Sequence, residues 1–158
     1  MRGMRSKIGV GVAALAVAGL AWGATPSQAA AGGATVVGHG TISPGLTTKP
    51  TFQKVTFSGT LVGGSSAKNA GTYNCVFNGA SNIAETAAKG HGTATGSCSG
   101  SKGTTSSSVT YARTGGVVTL AGTATGSVSG HITGVCNFEP TSAPTTKSYQ
   151  LQCAIAFK

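Results

Sequence analysis

From Tyr149 to the C-terminus the chain alternates. Tyr149, Leu151, Cys153, Ile155 and Phe157 fall on one face, and Gln150, Gln152, Ala154 and Lys158 on the other. A period of two sends successive side chains to opposite sides of an extended backbone, so this stretch reads as a strand with one buried face. The same period recurs upstream. Val55, Phe57, Gly59 and Leu61 alternate with Lys54, Thr56, Ser58 and Thr60, and Tyr73, Cys75 and Phe77 alternate with Thr72, Asn74 and Val76. Ile132, Cys136 and Phe138 oppose Ser129, His131 and Thr133. No segment after the first thirty residues sustains a helical period.

Turn residues divide these runs: Ser43-Pro44-Gly45, Gly63-Gly64-Ser65-Ser66, Asn78-Gly79, Ser99-Gly100-Ser101, Thr114-Gly115-Gly116 and Pro140 to Pro144. Strands are expected near 34–42, 51–62, 71–78, 90–98, 107–113, 117–125, 127–138 and 148–157. Ser81 to Lys89 could be a short helix or a continued strand. The expected fold is all-β, an antiparallel β-sandwich or barrel of about seven to eight strands. His91 to Gly100 resembles Ala121 to Gly130 at an offset of thirty residues. Two copies fall short of a solenoid, which needs at least three.

The N-terminus is an address. Arg2, Arg5 and Lys7 precede an apolar run from Ile8 to Ala24, and small residues follow at Ala29, Ala30 and Ala31. A basic, then apolar, then small-residue order is that of a secretory signal peptide. Residues 1–30 are expected to be that peptide, and 31–158 a single all-β domain. After its removal no membrane association is expected, and the localisation is extracellular or cell-wall associated.

Export gives the cysteines a meaning. Cys75, Cys98, Cys136 and Cys153 make an even count, which in an exported chain reads as two disulfides. Three pairings are open. Cys75–Cys98 and Cys136–Cys153 are favoured because each closes a short local loop, with spans of 23 and 17 residues. Each bridge is expected to contribute about 3 kcal/mol through the unfolded state. Zinc would want close pairs such as C-x-x-C, and there are none.

Beyond residue 30 there is no Asp, and eight basic residues against Glu85 and Glu139 leave a net charge of +6. The basic residues are spread singly, without the cluster that nucleic-acid recognition uses, so no nucleic-acid partner is expected. Solvated lysines that keep the protein soluble explain them first. Loose attraction to an anionic cell-wall polymer is the sharper alternative.

Candidate sites are few. His39, His91 and His131 each sit in a Gly-His-x-Thr setting, and three imidazoles can hold zinc with a position open for water. That would require neighbouring strands and orienting carboxylates, so no metal is expected. Glu85 and Glu139 are the only carboxylates for acid–base work and read as solvated loop charges. Ser65-Ser66-Ala67-Lys68 and Ser99-Gly100-Ser101-Lys102 match S-x-x-K but lie in Gly/Ser loops rather than at a helix start. Most aromatic residues fall on apolar faces; Tyr111 and Phe52 stand out as residues free to touch a ligand.

Several phrases resemble small secreted β-proteins of actinobacteria: Gly40 to Thr47, Val55 to Leu61, Gly96 to Gly100 and Tyr149 to Cys153. The resemblance runs over most of the mature chain. It implies export and a β-fold, and no catalytic residue. The enediyne-carrier apoproteins are also secreted two-disulfide β-sandwiches, but their cysteine pairs are closer in sequence and they are acidic.

The functional expectation is a secreted, non-catalytic binding protein, extracellular or wall-adherent, that needs no cofactor. Two alternatives stand beside it. One is a carrier of a small apolar molecule in a β-enclosed cavity. The other is self-assembly through exposed strand edges around Val55 to Val62 and Tyr149 to Phe157.

Overall fold

The computed structural model describes residues 33–63 and 70–158. The expected signal peptide and the Ser65–Lys68 motif lie outside these residues. The described chain forms eight strands: β1 (Gly33–Leu46), β2 (Lys54–Gly63), β3 (Gly71–Ser81), β4 (Lys89–Gly100), β5 (Gly103–Thr114), β6 (Val117–Gly126), β7 (Gly130–Pro140) and β8 (Thr146–Phe157). Each pairs antiparallel with the next, and β8 returns to β1, closing a barrel. Of the sandwich and the barrel, the barrel is what forms.

The alternation dictates which side faces in. Val36, Leu61, Tyr73, Cys75, Ile132 and Ile155 are buried in the interior. Ser and Thr dominate the outer wall, in register from strand to strand: Thr95, Ser108 and Thr123 make one row across β4, β5 and β6, and Ser97, Ser106 and Thr125 the next. The two repeated segments lie mainly on β4 and β6, which pair with β5 from either side.

Cys75 is bonded to Cys98 and Cys136 to Cys153. In each case the two cysteines are directly opposed in neighbouring strands, β3 with β4 and β7 with β8. These two strand pairs lie on opposite sides of the barrel. Two such bonds fit an oxidising compartment.

Three local expectations are corrected. Asn78-Gly79, a strong hairpin signal, sits inside β3, where a Cβ at Gly79 would overlap the Thr93 carbonyl on β4. Ser43-Pro44-Gly45 does not end β1. It is absorbed as an irregularity in the pairing with β8, and Gly45 takes a φ of +123° that suits glycine. The 81–89 segment is not a helix; beyond β3 and before β4 it is a loop whose Glu85 bridges to Thr51. Closure also pairs each described strand on both sides.

Candidate functional site

The barrel encloses a cavity of about 160 Å³. Aliphatic and aromatic side chains supply most of its wall. Strand β5 is the exception, because its inward positions include Thr105, Ser107, Tyr111 and Arg113 beside Val109. One strand thus carries four of the polar side chains that line the cavity.

The two ends of the cavity are built differently. At one end, here called the glutamate end, the loop between β3 and β4 turns inward. Its backbone is held from outside: Thr51 and Glu85 exchange two hydrogen bonds of 3.0 and 2.9 Å, and Ala87 N–H donates to the Thr47 carbonyl at 2.7 Å. With its main chain satisfied, Glu85 projects into the barrel and is only 1% exposed. Tyr111 Oη donates to Glu85 Oε2 at 2.9 Å, and the His91 backbone N–H also bonds the carboxylate. Gly90 makes this possible, since a Cβ there would overlap the Glu85 carboxyl.

Arg113 ties the loop down. Nη1 donates to the Ala87 carbonyl at 3.0 Å and Nη2 to the Thr86 carbonyl, while Nη1 also reaches the Gly115 carbonyl at 3.4 Å. Its guanidinium carbon lies 5.1 Å from the centre of the Phe138 ring, a cation–π distance. Phe138 stacks in turn on Tyr149, whose hydroxyl donates to the Thr56 carbonyl at 2.6 Å. Gln53, also buried, closes the neighbouring loop by bonding both the N–H and the carbonyl of Gly45.

The electrostatics follow from burial. Loss of solvent raises the Glu85 pKa, and the Tyr111 hydrogen bond and the Arg113 charge counteract this only in part. Burial, followed by the Glu85 charge, pushes both the Tyr111 and Tyr149 hydroxyls up. Both tyrosines are therefore neutral donors at physiological pH.

At the opposite end, the valine end, the 127–129 loop tucks Val128 inward to 4% exposure. The Val128 N–H donates to Thr105 Oγ1 at 3.0 Å, and the Thr105 and Ser127 hydroxyls bond each other at 2.9 Å.

Of the residues singled out beforehand, Tyr111 lines the cavity while Phe52 is 64% exposed on an outer loop. The four cysteines face the interior as disulfides. His39, His91 and His131 point outward from β1, β4 and β7, no two of which are adjacent. His91 Nδ1 lies 2.7 Å from Asn82 Oδ1. Among the described residues no three His, Cys, Asp or Glu come together to hold a metal ion. Glu139 is exposed but lies near the end of β7 rather than in a loop, and Glu85 is in a loop but not exposed: the inward turn overturns that expectation. Arg113, grouped with the solvated basic residues, is 4% exposed. The signal for Arg113 and Ser107 was present, because both share the period-two face of Tyr111.

No family model matches the chain, and no curated protein or solved structure matches it.

Proposed function

We propose that this chain is an exported, non-catalytic binding protein that holds one small, largely apolar molecule inside its barrel. The observation that carries this reading is the interior cavity, apolar over most of its wall and polar at the glutamate end. Eight-stranded barrels are just wide enough either to fill with side chains or to hold one small ligand. The volume of about 160 Å³ sets the size of the occupant. An apolar cavity of about 150 Å³ takes benzene, so a single ring with a short substituent is the scale.

Export is supported by the basic, apolar, small-residue order of residues 1–30 and by the two disulfides. The Ser/Thr outer wall supports an aqueous setting, because a barrel in lipid puts its apolar residues outside.

The test is thermal unfolding with saturating ethylbenzene. A ligand at a hundred times its dissociation constant stabilises by about 2.7 kcal/mol. A clear rise in the midpoint supports the reading. An unchanged midpoint with ethylbenzene and with smaller apolar probes overturns it.

A second observation favours wall adherence by the same protein. Lys49, Lys54, Lys89 and Lys147 are exposed, and all four lie at the glutamate end. We infer that this rim attracts an anionic cell-wall polymer. Cosedimentation with cell walls should fall as salt rises; binding that survives high salt would sink this version.

A further inference from the structure

We propose that the cavity selects a neutral molecule whose single polar group is a hydrogen-bond donor, a phenol-like hydroxyl on an apolar body. This rests on the small-molecule reading above and adds the chemistry of the ligand.

Most of the hydrogen-bond donors at the glutamate end are already committed. The Tyr111 O–H is already directed at Glu85, and the Tyr149 O–H at the Thr56 carbonyl. Arg113 commits three of its five N–H groups to carbonyls of the closing loops and sets its guanidinium against the Phe138 ring. Acceptors remain. A carboxylate offers about four lone-pair positions, and Glu85 is engaged by the Tyr111 hydroxyl and the His91 N–H. The Tyr111 and Tyr149 oxygens keep lone pairs as well. A head group that donates completes this set, whereas one that only accepts meets mostly oxygen at this end.

Charge decides between a neutral and an ionic donor. Glu85 and Arg113 are both buried and balance each other. A further ion of either sign would be desolvated without a counter-ion, which is costly in a low-dielectric interior. A carboxylate ligand would also face the Glu85 carboxylate. A hydroxyl adds no charge. Ser107, halfway along β5, has no hydrogen-bond partner among the described residues and gives a weaker polar contact for the body of the ligand.

The experiment is calorimetric titration of the folded, oxidised protein at pH 7 with ethylbenzene, 4-ethylphenol and 4-ethylbenzoate. The expected order is 4-ethylphenol about tenfold or more tighter than ethylbenzene, the increment of one hydrogen bond to a charged acceptor, with no measurable binding of the benzoate. In Glu85→Gln the phenol advantage should shrink while ethylbenzene affinity holds. If that variant does not fold, the ranking on the unaltered protein decides. Equal affinity for the phenol and ethylbenzene, or tighter binding of the benzoate, overturns the donor inference and leaves the cavity reading standing. Failure of both ethylbenzene and the phenol to bind overturns the two together.

Discussion

At one end of the barrel a loop pushes Glu85 between the strands; at the other a loop pushes in Val128. The geometry is alike and the energetics are opposite. Burying a valine side chain stabilises by about 1.5–3 kcal/mol without help from any partner. Burying a carboxylate costs several kcal/mol unless hydrogen bonds and a counter-charge offset it. The valine end therefore closes on its own account. The glutamate end closes only because Tyr111, Arg113, Gln53 and a side-chain-free position at Gly90 cooperate. A polar cluster that must be maintained against its own desolvation is where specificity is expected, and the apolar plug is where passage is expected.

The largest effect should come from Arg113→Ala. It removes the donors that hold the 82–88 loop and leaves Glu85 without a balancing charge. Urea unfolding should show a loss of about 3 kcal/mol, the cost of a buried charge stripped of its partner. A loss below about 1 kcal/mol, typical of a surface position, would break the comparison. Next comes Gly90→Ala, whose new methyl meets the Glu85 carboxyl; about 2 kcal/mol is expected, as for other overpacked interiors. Val128→Ala should cost about 1–2 kcal/mol through lost burial and the space left behind. Its sharper signature is kinetic: association and dissociation of ethylbenzene should both accelerate, with little change in affinity. Unchanged rates would place the passage elsewhere.

The smallest effect is the pH dependence. Glu85 has a folded pKa above its unfolded value of about 4.3, so the folded state holds the proton more tightly. Its share of stability is greatest below the unfolded pKa and is lost as pH rises through the folded one. Glu85→Gln should remove that slope. The difference in thermal midpoint between the unaltered protein and the variant should change between pH 7 and pH 4 in favour of the unaltered protein at the acid end. Parallel curves would mean that Glu85 is more solvated than its position implies.

Strand content was legible because it is a local property. A period of two around Tyr73, Ile132 and Leu151 needs no knowledge of the rest of the chain, and the short-loop pairing of the cysteines follows once strands 71–78 and 90–98 are neighbours. The site was read at Tyr111 alone, although Arg113 and Ser107 share its period-two face. Glu85 lies in a segment without periodicity, and its burial depends on a barrel end wide enough to admit it and on Gly90, five residues away. Neither is visible before the sheet closes. Asn78-Gly79 misled for a related reason: the dipeptide that favours a turn in isolation is also one that lets neighbouring strands come close.

The pairing of Gly33 with Ala156 joins the first described strand to the last. Every other strand pairs with a chain neighbour, so this one contact spans nearly the whole domain. Such distant contacts are slow to form, because a long loop must be ordered before they contribute. A chain emerging N-terminus first has β1 waiting for a partner that follows all the other strands of the ring. Completion of the ring therefore waits for β8, and until then the interior that would receive a ligand does not exist.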